Sequence, residues 1–487
     1  MVHKPLELKT NAAQTRLVQA LDSVVSALEL PGDYPPQALA EARTAIDSLV
    51  LPDHDLTEIE FVTIDPAAST DLDQAVHLAR DGEGYVVRYA IADVPALVEL
   101  GGALDAETRH RGQTLYLPGH RVPLHPEIIS EDAGSLLPGQ RRGAYVWTFH
   151  LDAAALVRRT GLLRATVCSR QKLDYAGVQA SIDEGHASES LALLKEVGLK
   201  RIEAERERGG ASLRIPEQEV EVDEDGVPCL TVRAALPVED WNAQISLLTG
   251  MEAARIMLEG GIGILRTMPA PDEHGSTAFR RQAASLGTPW RDGVPYGEFL
   301  RSLDVTEPRQ LAIMHAATSL FRGAGYTAFD GEAPEERIQA AIAAPYAHTT
   351  APLRRLVDRF SLVVCEHLVR GAEVPAGIRR ALVLLPELMQ SSNQVAGTAE
   401  RAAIDTVEAA LLSDRIGEKF DAITLNGTTA EQAARARENG EAPGGRLQLL
   451  DPAVNARFLG RAEAGERVQA ELIEADIDRR TVLFRID

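Results

Sequence analysis

Cysteine, lysine, long apolar runs and net positive charge are all in short supply in this sequence. The cysteines Cys168, Cys229 and Cys365 stand far apart with no CxxC pair, which argues against both a disulfide framework and a zinc finger. No apolar run reaches the roughly 18 residues that a membrane span needs, and Met1–Thr10 holds no signal-peptide core. The expectation is a cytoplasmic protein with no membrane partner. Lys plus Arg number 50 against 72 Asp plus Glu, a net charge of −22, which argues against a broad basic face of the kind that binds polyanions. Lysine occurs only at positions 4, 9, 172, 195, 200 and 419, so 44 of the 50 basic residues are arginine. That excess reads either as codon bias or as a use of arginine's planar fork for bidentate phosphate contacts.

What is present describes a globular chain. At 487 residues, 45% hydrophobic and 25% charged, it is long enough for about three domains of roughly 150 residues each. Residues 1–55 read as two helices. Leu17, Leu21, Val24, Val25 and Leu28 recur at helical spacing behind a Thr10-Asn11 cap, Pro31-Gly32-Asp33 breaks the run, and Pro35-Pro36 opens a second helix. This small head has the size of a helix-turn-helix, yet its only basic residues are Lys4, Lys9, Arg16 and Arg43, too few for DNA binding on its own. From Glu58 the period changes to two, with strands at 58–64, 84–91, 144–151, 163–169 and 229–234 and a charged helix over 190–208. Helices follow at 238–259, 307–322, 352–370 and 379–412. Beyond a polar, Gly-rich loop at 428–445, alternating segments at 447–450, 467–472 and 482–486, with 419–423, predict a small β-barrel. The fold class is α+β, a mixture of sheet and helix.

Two stretches carry chemistry. In Thr63-Ile64-Asp65-Pro66-Ala67-Ala68-Ser69-Thr70-Asp71-Leu72-Asp73-Gln74 a strand ends on an aspartate and two more return two residues apart. Residues i and i+2 of an extended segment share a side, so Asp71 and Asp73 can converge with Asp65. Three such carboxylates repel unless a cation neutralises them, and oxygen-only ligation suits Mg²⁺. Such an ion activates water and neutralises charge in a phosphoryl displacement. Alone, this spacing is more often a solvated turn, and it is not an EF-hand. In His348-Thr349-Thr350-Ala351-Pro352-Leu353-Arg354-Arg355-Leu356-Val357-Asp358, Thr350 reads as an N-cap and Pro352 as a first-turn proline. Arg354 and Arg355 then fall where a helix dipole disfavours cations, a placement that makes sense if a phosphate binds there. The plainer alternative is an Arg354–Asp358 pair at i+4. Gly260-Gly261-Ile262-Gly263 follows a helix and opens none, His120 and His125 have no metal-like partner, and no Ser-His-Asp arrangement stands out.

Taken in order, these stretches resemble the RNB catalytic domain of the ribonuclease II family of 3′→5′ exoribonucleases. The resemblance runs from about Leu56 to Arg415: the acidic motif, Ile91-Ala92-Asp93-Val94, Tyr116-Leu117-Pro118-Gly119, Leu173-Asp174-Tyr175, Val238-Glu239-Asp240, the arginine motif, and Ala399-Glu400-Arg401. The tail from about Ile416 resembles the family's oligonucleotide-binding (OB) barrel, and the helical head stands in place of cold-shock barrels. The implied division is 1–55, 56–415 and 416–487. The resemblance implies a Mg²⁺ centre, with Mn²⁺ a substitute, held by Asp65, Asp71, Asp73 and Gln74, with Asp71, Asp73 and Arg354 catalytic. It implies that Tyr116, Tyr175, Glu239, Arg354 and Arg355 contact single-stranded RNA, which a monomer would digest processively to nucleoside 5′-monophosphates. The head would contact RNA or a protein partner. The sequence departs from the family at Gln74, usually a further aspartate, and at Ala351, Leu356 and Ala90, usually serine, tyrosine and histidine. Gln74 adds no charge, so weaker metal affinity is expected. Two other readings are a non-catalytic RNA-binding protein on the same fold and a nuclease or phosphodiesterase acting on DNA or small nucleotides.

Overall fold

The computed structural model describes residues 11–117, 120–211, 217–222, 228–233, 235–304, 306–320, 323–427, 443–451 and 454–486. Thr10, Pro118, Gly119, Ala234 and most of the expected 428–445 loop lie outside them. Helices α1 (Asn11–Ala27) and α2 (Pro36–Asp47) precede strands β1 (Phe61–Asp65), β2 (Gln74–Asp81) and β3 (Gly84–Ala92). Helix α3 (Ala103–Arg111), the short hairpin β4 (Leu115–Leu117) and β5 (His120–Val122), and the long strands β6 (Arg141–Leu151) and β7 (Val157–Asp174) follow. Next come α4 (Tyr175–Asp183), α5 (Glu189–Arg208), β8 (Glu217–Val222), β9 (Pro228–Arg233), α6 (Pro237–Gly260) and β10 (Ile262–Thr267). Helices α7 (Glu273–Ser285), α8 (Tyr296–Arg301) and α9 (Pro308–Ala317) lead to β11 (Gly325–Asp330), α10 (Leu356–Val369) and α11 (Ala376–Leu412). The chain closes with β12 (Lys419–Asn426), β13 (Gly444–Leu449), β14 (Asn455–Leu459), β15 (Arg467–Asp476) and β16 (Thr481–Arg485).

Two closed barrels organise these elements. The first runs β1-β2-β3-β6-β7, closed by parallel pairing of β1 with β7 that sets Asp65 opposite Asp174. Alternation along the strands feeds two cores at once, so they read as nearly continuous apolar runs. Tyr85, Val87, Tyr89, Ile91, Trp147 and Phe149 face a core shared with α5, α6 and α10. The intervening Ala90, Ala92, Ala144 and Val146 face a second core that also takes Ala38 and Ala42 of α2. The expected C-terminal barrel is present as β12-β13-β14-β16-β15 around Phe420, Phe458 and Phe484.

The N-terminal helices do not pack together as a separate recognition unit. Leu17, Ala20 and Leu21 of α1 pack on Ala403, Val407 and Ala410 of α11 and on Ile477 after β15, while α2 packs on α3. The Gly-rich run ending α6 is a helix stop: Gly261 adopts φ +69°, the left-handed conformation that glycine permits. Helix α9 ends at Ala317, short of the expected residue 322, in a 3₁₀ turn over 318–320.

Candidate active site

Strand β1 delivers Asp65 to the end of the first barrel. Its Oδ2 is buried with no hydrogen-bond partner. Burial pushes the carboxyl up to about 6; Arg354 and Lys172 oppose that rise and Asp71 adds to it. The chain then turns through residues 66–73 before β2 begins at Gln74, so Asp71 and Asp73 lie in a loop and not in the strand the spacing suggested. The loop is tightly held. Ser135 Oγ accepts from the Leu72 N–H at 3.0 Å and donates to the Thr70 carbonyl at 2.8 Å, and Lys172 Nζ donates to the Ala67 carbonyl at 2.6 Å.

Asp73 is the most enclosed of the three aspartates, 3% exposed. Its Oδ1 accepts from the Leu353 N–H at 2.7 Å and its Oδ2 stands 3.6 Å from Arg354 Nε. Burial drives its pKa well up, against Arg354 first and the Leu353 N–H second. Asp71 accepts from the hydroxyl of Tyr116, whose ring stays half exposed. Gln74 Oε1 accepts from the Tyr89 hydroxyl at 2.6 Å; that hydroxyl also meets Ser246 Oγ at 2.8 Å and feels Asp65, Tyr175 and Arg354.

The arginine stretch corrects the expected helix. Helix α10 starts at Leu356, with Arg355 as its extended N-cap residue at φ −132°, ψ 127°. The reason lies far along the chain: the Leu356 N–H donates to the Gly112 carbonyl at 3.0 Å and the Arg354 carbonyl accepts from the Thr114 N–H at 2.9 Å, a bridge between Gln113 and Arg355 that holds residue 355 extended. Two buried carboxylates fasten the turn that precedes the helix, Asp358 Oδ1 accepting from the Ala351 N–H at 2.7 Å and Asp73 Oδ1 from the Leu353 N–H. Thr350 is therefore not the N-cap, and the alternative Arg354–Asp358 pair does not form. Arg355 makes that contact, its Nε and Nη2 on the two oxygens of Asp358 at 3.0 and 2.9 Å. Arg354 is left half exposed, reaching Asp73.

Tyr175, first residue of α4, is presented by Asp174, whose Oδ1 caps the helix through the Gly177 N–H at 2.7 Å. Its phenol is raised by burial and then by Asp65, and it feels Asn242 and Glu239. Glu239 caps α6, its Oε1 accepting from the Leu236 N–H at 2.8 Å. The fold thus brings Asp65, Asp71, Asp73, Arg354, Tyr116 and Tyr175 around one mouth of the barrel. Sequence reasoning missed Tyr89, Lys172, Asn242 and Ser135, whose partners Gln74, Ala67, Tyr175 and Thr70 lie well away along the chain. Asp358 was read as a partner of Arg354 at i+4; its actual partner, Arg355, stands at i+3.

Among the described residues no group of three His, Cys, Asp or Glu side chains stands ready-made to hold a metal ion. The donor set nonetheless suits a hard cation: three carboxylates share one electrostatic neighbourhood, and the unpartnered Asp65 Oδ2 is an oxygen in want of a positive partner.

The RNB domain model matches residues 53–370, and the RNase II-type exonuclease C-terminal S1 domain model matches 434–487. The chain belongs to the RNB family. Ribonuclease R of Mycoplasma pneumoniae is 36% identical over 183 residues, which is 36% of this chain and 25% of that protein. Ribonuclease R of Aquifex aeolicus is 26% identical over 429 residues, 82% of this chain and 59% of that protein. This RNB chain therefore spans well under two thirds of those relatives' lengths. The structure of Mycoplasma genitalium RNase R in complex with ribose methylated single-stranded RNA superposes with a TM-score of 0.84 at 19% identity, covering 97% of this chain and 78% of that one. That likeness establishes the shared fold.

Proposed function

We propose that this RNB protein is a divalent-metal-dependent 3′→5′ exoribonuclease that hydrolyses single-stranded RNA to nucleoside 5′-monophosphates. The observation that carries the reading is the meeting of Asp65, Asp71 and Asp73 with Arg354 at one site, Asp65 keeping a buried, unpartnered oxygen. Asp65, Asp71 and Asp73 hold Mg²⁺, with Mn²⁺ a substitute. The bound ion supplies activated water and neutralises charge developing on the scissile phosphate. Arg354, held by Asp73 yet half exposed, aims its fork at that phosphate. Tyr116 and Tyr175 offer faces on which terminal nucleotides stack without sequence readout. Glu239 stands beside Tyr175 to meet the 3′-terminal sugar, where a 2′-hydroxyl marks RNA. Gln74, its oxygen already engaged by Tyr89, lends the ion at most a neutral ligand.

A second reading, an RNA-binding protein with little catalysis, is favoured by that same engagement of Gln74 and by the absence of a ready-made three-acid cluster among the described residues. A 5′-labelled single-stranded RNA incubated across a Mg²⁺ titration separates the two. Stepwise shortening and release of 5′-monophosphates is expected, and Asp73→Asn should slow it at least about 10²-fold while leaving binding within about threefold. A strand bound but uncut at every Mg²⁺ concentration would leave the binding-protein reading standing.

A further inference from the structure

Arg266, in β10, is a guanidinium without an acid. Its Cζ sits 4.8 Å above the ring of Tyr326, its partner across the β10–β11 pair, and its nearest polar contact is a long one, Nη1 to the Gly325 carbonyl at 3.4 Å. Among the described residues no carboxylate forms an ion pair with it, whereas Arg355 holds Asp358 and Arg121 holds Glu131. Arg266 is also built in. Its backbone N–H donates to the Tyr346 carbonyl at 2.8 Å, and the Tyr326 hydroxyl meets His348 Nδ1 at 2.7 Å. The His348 ring in turn lies 5.4 Å from that of Tyr346. His348 opens the stretch that carries Arg354 and Arg355, so this aromatic stack fixes Arg266 beside the arginine turn.

The electrostatics of that stack are one-sided. Burial holds His348 well below its ordinary pKa, and Arg355, Arg266 and Arg354 push it further the same way. The acid within this group, Asp358, is occupied on both oxygens by Arg355. Stacking on an aromatic face pre-orients a guanidinium and leaves its edge of N–H donors free. An unpaired, pre-oriented fork beside a second half-exposed arginine costs self-repulsion unless an anion joins them.

We propose that Arg266 holds a backbone phosphate of the RNA strand next to the one that Arg354 meets. Arg355, its fork engaged by Asp358, then acts as the brace of the turn. The proposal rests on the RNA reading above, and the test is arranged so that the two can fail separately.

A 5′-fluorescein single-stranded RNA is titrated with the full chain in EDTA from 50 to 300 mM KCl, and binding is followed by anisotropy. For single strands each neutralised phosphate contributes about 0.7 to the slope of log K against log salt. Arg266→Gln should reduce the slope by about 0.7, Arg266→Lys should keep it, and Tyr326→Phe, which loosens the stack without removing charge, should also keep it. A merely structural role would weaken binding in Arg266→Gln and Tyr326→Phe alike at unchanged slope. Arg266→Gln binding with the wild-type slope, or Tyr326→Phe losing slope as Arg266→Gln does, overturns the proposal and leaves the RNA reading intact. A wild-type chain that binds no RNA overturns both.

Discussion

His125 shows at the level of one residue how the arginine turn depends on what lies beneath it. The side chain is buried, and its Nδ1–H donates to the Leu353 carbonyl at 3.0 Å, on the residue whose N–H serves Asp73. Burial lowers its pKa to about 3, against about 6.5 in an unfolded chain. The unfolded state therefore takes up a proton below pH 6.5 that the folded state refuses, and stability is lost as the pH falls. At pH 5.5 the loss from this group is about 1.4 kcal/mol. His125→Gln should flatten the fall in melting temperature between pH 7 and 5 relative to wild type, and an unchanged slope would show that this imidazole is not the group responsible. In the sequence His125 was a histidine without a partner, because a carbonyl 228 residues away in the chain leaves no local mark.

At the scale of elements, the arginine turn is shaped from outside as much as from within. The spacing of Pro352 and the apolar residues after it is that of a helix starting four residues before Leu356, yet the Leu356 N–H, which such a helix would bond to the Pro352 carbonyl, donates instead to the Gly112 carbonyl at 3.0 Å, and the Arg354 carbonyl accepts from the Thr114 N–H. Helix α6 acts on the same segment from the other side. A Cβ placed on Gly250 would lie 2.1 Å from the Tyr346 ring and 2.6 Å from the Ala347 carbonyl, and the Ala347 N–H donates to the Gly250 carbonyl at 3.0 Å. Backbone and a buried ring cannot yield cheaply, so Gly250→Ala should cost about 1–3 kcal/mol in a urea melt. The same substitution at Gly82, where a Cβ meets nothing, reports only its positive φ. The strands read at 58–64, 84–91, 144–151 and 163–169 were legible because alternation is a local property, although β6 and β7 run longer, and β2, β4, β5, β8, β10, β11 and β14 were not anticipated.

At the scale of the whole molecule, α1 and α11 tie the RNB domain to the C-terminal barrel. Leu17 is fully buried in the cluster that joins α1, α11 and Ile477, and Asp22 of α1 meets His120 of the β4–β5 hairpin that carries Tyr116. Leu17→Ala should destabilise the chain by about 2–5 kcal/mol in a thermal or urea melt. A cost below about 1 kcal/mol would show that the head is dispensable to the fold. The net charge of −22 is compatible with a polyanion ligand, because the acids at the barrel mouth include those proposed to hold the cation, and Arg354 and Arg266 act locally.

By itself the sequence marked the residues proposed to carry chemistry, three aspartates in a D-x5-D-x-D spacing and an Arg-Arg pair read into the first turn of a helix, and it marked many strands by alternation and helices by their longer period. Those are properties of neighbours along the chain, and covalent spacing is enough to express them. Only the tertiary structure decided which arginine is free. Asp358 takes Arg355, Asp73 leaves Arg354 half exposed, Tyr326 stacks on Arg266, and Tyr89 takes the oxygen of Gln74. Whether a charge is paired depends on barrel closure and on loops meeting across hundreds of residues, which no local pattern encodes.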